Sequence, residues 1–175
     1  MRFGWARAAG LAAVLAVAAC GQDGAPGGGD AALNAEAAAA WMADNAKAEG
    51  VQTLPSGLQY KVIQSGPAGG AHPDSNDLVM VHYEGALVDG TVFDSSFQRG
   101  TPYATHVGDV VPGWIEALQL MKAGDEWMLY VPPELGYGAV DRGEIPSNSV
   151  MVFRIQLLDV AQVPGGGRGV SSAQG

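Results

Sequence analysis

A chain of 175 residues, 47% of them hydrophobic and 15% charged, has room for one ordinary domain of roughly 100–150 residues and little beyond it. Its formal net charge of −9 sets it against nucleic acid and anionic lipid surfaces, both of which recruit basic patches. A single cysteine excludes an internal disulfide framework.

Residues 1–19 read as a targeting segment. Arg2 and Arg7 supply a positive start, Ala8 to Ala19 is an unbroken run of apolar or small residues, and small residues precede Cys20. That run falls short of the roughly 20 apolar residues of a confident transmembrane helix. The sequence VAAC, Val17 to Cys20, resembles the bacterial lipobox, in which the chain is cut before a cysteine that is then acylated, so Cys20 is the expected lipid anchor. Several acyl chains together would hold a protein stably at a membrane where one chain would not. Cleavage would remove two positive charges and no acids, taking the formal charge from −9 to −11. Gln22, at the third position of the cleaved chain after Cys20 and Gly21, resembles an outer-membrane sorting signal.

Residues 20–30, the acylated cysteine followed by GQDGAPGGGD, have the composition of a flexible tether. The alanine-rich stretch 31–50 predicts one helix from Ala31 to Glu49, with Asp30 as N-cap, Trp41 and Met42 as apolar anchors and Gly50 as the stop. Its role is open among a spacer, an element packed on the domain and the remnant of a dimerising arm; its shortness favours a monomer. Residues 51–160 carry mostly β signals. LQYKVIQ (Leu58 to Gln64) and DLVMVHYEGALV (Asp77 to Val88) read as strands, and Asp89-Gly90 is a hairpin signal leading into a strand at TVF. PGWIEALQLMKAG (Pro112 to Gly124) switches to helical spacing, with Trp114, Leu118 and Met121 at i, i+4 and i+7. DEWMLYVP (Asp125 to Pro132) and SVMVFRIQLLDV (Ser149 to Val160) return to period two. Between them lies a loop, Pro133 to Ser149, of a length that in compact domains usually carries function. The Gly/Ser-rich tail 161–175 is expected to be disordered. One short helix among about five strands, each strongly apolar on one face, argues an α+β fold in which an antiparallel sheet curls over the helix.

Taken in order, VHYEGALVDGTVFDSSF, VPGWIEALQLMKAGDE, YVPPELGYG, IPSNS and VFRIQLLDV closely resemble the FKBP family of peptidyl-prolyl cis-trans isomerases across the whole of 51–160. The lead-in SGLQYKVIQSG, Ser56 to Gly66, is similar to that of bacterial envelope members of the macrophage-infectivity-potentiator type. The resemblance implies a five- or six-stranded antiparallel sheet around a short helix, with the site in the hollow between them. Residue by residue it implies Trp114 as the floor, Tyr83, Phe93, Tyr103, Val110, Val111 and Phe153 as walls, and Asp94, Tyr137 and Ile145 at the rim and upper wall. Tyr137 would donate its phenolic proton to a substrate carbonyl, and the Val111 N–H would hold another. Asp94 would either polarise the twisted amide or orient Tyr83 and Arg99. The resemblance also implies proline-containing exported proteins as substrates, macrolides such as tacrolimus and rapamycin as possible inhibitors, no cofactor, and a lipid-anchored place in the bacterial envelope, at the outer membrane facing the periplasm. Tyr103, which should still fill the wall, Thr105 and Glu144, with Arg142 nearby, depart from the usual pattern and bear on affinity and sequence preference. The alternative is an envelope chaperone or peptide-binding module of the same fold with little catalysis.

Other chemistry finds no support. His72, His82 and His106 are scattered without metal-ligand spacing, and His82 is expected on the strand face opposite Tyr83. Ser95 and Ser96 lack a nucleophile elbow, and the glycine-rich tether follows no strand, which rules against a phosphate-binding loop.

Overall fold

The computed structural model describes residues 28–164. The expected signal segment, Cys20, most of the tether and the tail beyond residue 164 lie outside the described residues.

The first element, helix α1 (Gly28–Asn45), starts inside the stretch expected as tether, so Asp30 is a helical residue and not its N-cap. It also ends four residues before Glu49. The Asn45 side chain donates to Gln59 Oε1 at 2.8 Å, and the chain then tightens into i→i−3 bonds from Lys47 N to Asp44 O and from Ala48 N to Asn45 O. Of the three roles left open for this helix, the structure shows packing on the domain. Ala38 and Met42 are buried with Val150, and Trp41 lies against Tyr130 with ring centroids 5.9 Å apart. The buried Gln59 Nε2 donates to the Met42 carbonyl at 2.8 Å.

Seven strands follow: β1 (Gln52–Thr53), β2 (Gln59–Gln64), β3 (Leu78–Leu87), β4 (Val92–Ser95), β5 (Tyr103–His106), β6 (Glu126–Val131) and β7 (Met151–Ala161). Between them lie the four-residue helix α2 (Ser96–Arg99) and the amphipathic helix α3 (Pro112–Leu120). The strands form one antiparallel sheet in the order β1-β2-β6-β7-β3-β4. β5 pairs with the first half of β3, Leu78 to Val81, while β4 pairs with the second half, Glu84 to Ala86. The two therefore share one edge, and the seventh strand beyond the expected five or six is the two-residue β1.

Period two decides which side chains face α3. On β3, Val79, Val81 and Tyr83 are buried; His82 points the other way, with Nδ1 2.9 Å from Ser96 Oγ and its ring stacked on Phe97. On β7, Met151, Phe153, Ile155 and Leu157 face inward, and on β6 Trp127, Leu129 and Val131 do the same. Trp114, Leu118 and Met121 meet them from the helix side, all buried.

α3 stops at Leu120, short of the expected Gly124, because the next turn is gathered by a carboxylate. Asp125, only 4% exposed, accepts from Gly66 N at 2.7 Å, Lys122 N at 3.0 Å and Lys122 Nζ at 2.6 Å. Burial alone would raise its pKa, but these hydrogen bonds and the Lys122 charge outweigh it and hold the carboxyl below its ordinary value of 3.8. The sign follows: the stabilisation is complete above the ordinary value and is lost as pH falls from there through the lower folded value. Asp125→Ala, which strands two amides and an ammonium, is expected to cost ~2–4 kcal/mol in denaturant unfolding at pH 7. Its cost should shrink below about pH 4; a cost independent of pH would contradict the assignment.

Candidate active site

The concave side of the sheet and the N-terminal end of α3 enclose a cavity of about 620 Å³. β3 contributes Tyr83, β4 Phe93 and Asp94, β5 Tyr103 and β7 Phe153, while Val110, Val111 and Trp114 come from the entrance to α3 and Tyr137 from the long loop. Every wall and floor residue expected from the sequence lines it except Ile145. That side chain is 8% exposed and buried in the core beside these residues rather than on the cavity wall. The Ile145 carbonyl accepts from Arg142 N at 2.9 Å, which folds this part of the loop over the core.

The aromatic rings set the shape. The Trp114 indole meets Tyr83 and Phe153 edge to face, with centroids 5.2 Å apart in both pairs, and Phe93 meets Phe153 at 5.7 Å. Tyr103 stands 5.8 Å from Tyr83, also edge-on. Such contacts add ~0.5–1.5 kcal/mol each beyond area burial and lock the ring planes. Gly85 makes the Phe93–Phe153 pair possible: a Cβ there would lie 2.6 Å from the Phe93 ring and 2.7 Å from the Phe153 ring. Trp114 Nε1 is buried without a hydrogen-bond partner among the described residues.

One polar group interrupts this apolar wall. Tyr83 Oη donates to Asp94 Oδ2, Arg99 Nη1 donates to Asp94 Oδ1, and Arg99 Nη2 reaches Tyr83 Oη at 3.1 Å. Arg99 reaches the rim because α2 turns it back. Ser95 Oγ caps that turn by accepting from Gln98 N at 3.3 Å, and Gly100 closes it in the left-handed region. Burial would raise the Asp94 pKa, but the hydrogen bonds from Tyr83 and Arg99 prevail and lower it. Burial, followed by the bond to the carboxylate, raises that of Tyr83. At neutral pH Asp94 is therefore an anion with both oxygens engaged, and Tyr83 is a neutral phenol committed to it.

Val111 is the N-cap of α3; its carbonyl accepts from Trp114 N and Ile115 N, and Pro112 occupies the first helical position. Val111 itself lines the cavity. Tyr137 follows a 3-10 turn, Pro133–Leu135, and the Arg142 guanidinium lies over its ring, 4.6 Å from the centroid. Of the departures, Tyr103 lines the cavity. Glu144 is exposed and Thr105 buried, and neither lines the cavity. Asp109 and Gly136 do line it, and the sequence reading missed both. Asp109 carried a signal, since it immediately precedes the Val110-Val111 pair; Gly136 carried none beyond its place in the loop. Among the described residues no group of three or more His, Cys, Asp or Glu side chains could hold a metal ion.

Comparison with known proteins decides the family. The model of the FKBP-type peptidyl-prolyl cis-trans isomerases matches residues 69–158. The chain belongs to that family. A second family model, the domain amino terminal to FKBP-type peptidyl-prolyl isomerase, matches residues 22–62, which takes in α1. The FKBP-type 22 kDa peptidyl-prolyl cis-trans isomerase of Escherichia coli is 50% identical over 121 residues, 69% of this chain and 58% of the relative. The outer membrane protein MIP of Legionella longbeachae is 47% identical over 122 residues, 69% of this chain and 52% of the relative. The crystal structure of FkpA from Escherichia coli superposes with a TM-score of 0.73 at 41% identity, covering 77% of this chain and 62% of that one. A peptidyl-prolyl cis-trans isomerase from Pseudomonas syringae pv. tomato gives a TM-score of 0.70 at 32% identity, covering 81% of this chain and 100% of that one. The chain thus spans about half the length of the curated relatives it matches. The FKBP fold places the cavity between sheet and helix, where the aromatic rings converge.

Proposed function

We propose that this chain is a peptidyl-prolyl cis-trans isomerase that accelerates rotation about X-Pro bonds in exported proteins. The observation that carries the reading is the aromatic cavity floored by Trp114 and walled by Tyr83, Phe93 and Phe153 in a chain of this family. Rotation is slow because twisting the bond breaks amide resonance, at a barrier of roughly 18–20 kcal/mol. A thousandfold acceleration requires only about 4 kcal/mol, and no covalent step is needed. An apolar cavity supplies this by binding the proline ring and withdrawing water from the amide oxygen. The planar, charge-separated amide loses solvation that the twisted amide needs less.

Trp114, Phe93, Phe153, Tyr103, Val110 and Val111 form the apolar surface against the substrate, and Ile145 supports it from the core behind. The Val111 N–H and the Tyr137 hydroxyl donate to substrate carbonyls and fix the segment on either side of the bond. For Asp94 the geometry favours the orienting role: its charge is met by Arg99 and its second oxygen by Tyr83. It therefore holds the Tyr83 ring against Trp114, while its lowered pKa makes it no proton donor at neutral pH.

The proposed setting is the bacterial envelope, with Cys20 acylated and the domain held at the outer membrane facing the periplasm. The lipobox-like VAAC and the name of the Legionella longbeachae relative, an outer membrane protein, support that setting. No helix among the described residues is long and apolar enough to cross a membrane. Substrates are unfolded or partly folded proline-containing proteins, and tacrolimus or rapamycin would compete for the same cavity.

The test is a protease-coupled or refolding assay of cis-to-trans isomerisation by the Cys20→Ser chain, run with and without rapamycin. Acceleration that rapamycin removes is the expected result. No acceleration by a folded chain would replace this reading with that of a binding module. In cells the unaltered chain should sediment with membranes and Cys20→Ser should not.

A further inference from the structure

The loop that carries Tyr137 leaves the sheet at the end of β6 and returns at the start of β7. Both of its roots lie under α1. Tyr130, just before the first root, packs on Trp41, and Val150, at the second, is buried with Ala38 and Met42. The register pairs Gln59 with Tyr130, and the Gln59 amide is itself tied to the Met42 carbonyl and to Asn45. The helix is thus fastened to the outer face of β2, β6 and the start of β7, on the side of the sheet away from the cavity.

One peptide group links that helix to the site. Asn34 Nδ2 on α1 donates to the Ser147 carbonyl at 3.2 Å. The N–H of the same Ser147–Asn148 peptide donates to the Gly138 carbonyl at 2.7 Å. Gly138 follows Tyr137 directly, and its own N–H returns to the Pro133 carbonyl at 2.8 Å. Asn148 holds the peptide in this orientation at φ 56°, the left-handed region, and is the only non-glycine residue among those described with positive φ. That conformation costs energy for a residue with a side chain and persists where surrounding bonds enforce it. A donor on the carbonyl also polarises the peptide and strengthens its N–H as a donor, so the two bonds support each other.

We propose that Asn34 is a positioning residue for the isomerase reaction: α1, through the Ser147–Asn148 peptide and Gly138, sets the place of Tyr137 over the cavity. This rests on the reading of the site as a prolyl isomerase. It assigns the amino-terminal helix a role inside one chain that does not depend on pairing with a second copy. Arg142 steadies the Tyr137 ring from the exposed side, and Asn34 steadies the backbone from beneath.

The experiment is a double-mutant cycle in the full chain, using Asn34→Ala, Tyr137→Phe and the pair. It reads kcat and KM on a short proline peptide, with amide hydrogen exchange at Gly138 to Ser149. Removing one such hydrogen bond is expected to lower kcat/KM ~3–10-fold, to accelerate exchange at the Asn148 amide, and to leave the thermal midpoint within about 3 °C. Asn34→Asp, which sets a carboxylate against the carbonyl, should do at least as much. In the Tyr137→Phe background Asn34→Ala should cost nothing further, because the group it positions is gone. Additive losses, or unchanged exchange at Asn148 together with unchanged kcat/KM, would overturn the proposal. If the unaltered chain proves inactive, faster Asn148 exchange in Asn34→Ala would still establish the brace and place the failure with the isomerase reading; unchanged exchange would overturn both.

Discussion

Trp114→Leu is expected to lower kcat/KM about 10-fold and Trp114→Ala about 100-fold, the latter corresponding to ~2.7 kcal/mol of lost transition-state stabilisation. The indole is 4% exposed and supports Tyr83 and Phe153 edge-on at 5.2 Å. Its removal deletes the floor and releases both walls. The alanine variant should also lose ~3–5 kcal/mol of stability, as large-to-small aromatic changes in cores do. That is a large share of the ~5–15 kcal/mol a domain possesses, so unfolding would contribute to the alanine result. Leucine keeps part of the apolar volume at a cost nearer ~2–3 kcal/mol. It separates the two effects if near-UV circular dichroism and the thermal midpoint are measured beside the rate. A folded Trp114→Leu chain with unaltered kcat/KM would remove the indole from the mechanism.

Asp94→Ala is expected to lower kcat/KM ~10–30-fold with little change in thermal midpoint. Its side chain is 40% exposed, and ion pairs that solvent reaches contribute little to stability. Its loss instead frees the Tyr83 hydroxyl and the Arg99 guanidinium, so the wall they hold loosens against Trp114. Asp94→Asn retains an oxygen that Tyr83 can reach and should keep roughly a third of the rate if Asp94 acts by orientation. An equal loss in both variants would assign the effect to the carboxylate charge. The pH profile follows from the same contacts. Asp94 is held below 3.8 and Tyr83 above 10.0, so neither changes protonation between about pH 5 and 9. kcat/KM should be flat over that range. The acid limb should appear only as pH falls through the lowered Asp94 value, where the carboxylate takes up a proton and the Arg99 pairing is lost. A midpoint near pH 6 to 7 would point to a group outside this triangle.

What was legible in the sequence and what was not divides along physical lines. Strand periodicity set Tyr83 and His82 on opposite faces, because successive side chains of a strand alternate and one slip in register would expose the whole apolar set, while the resemblance implied that Tyr83 faces inward. Helical spacing placed Trp114, Leu118 and Met121 together for the same kind of reason. The roles attached to those positions came from the family resemblance, since nothing in periodicity distinguishes a pocket tyrosine from a core tyrosine. The errors sit where side chains decide backbone. α3 ends early because Asp125 captures its next turn, and α1 ends early because Asn45 is drawn to Gln59.

In the long loop no period exists to be read. Ile145 turned into the core, Glu144 stayed in solvent and Arg142 folded over Tyr137, all within four consecutive positions with no period to order them. The sequence by itself determined the α+β class, the inward faces of the strands and the helix that floors the cavity, because these depend on local spacing and on burial of apolar area. Only the tertiary structure decided that α1 lies across both roots of the Tyr137 loop and that one peptide joins Asn34 to Gly138. The Asn34–Ser147 bond joins residues 113 positions apart, and a single long-range hydrogen bond leaves no periodic trace in the chain that makes it.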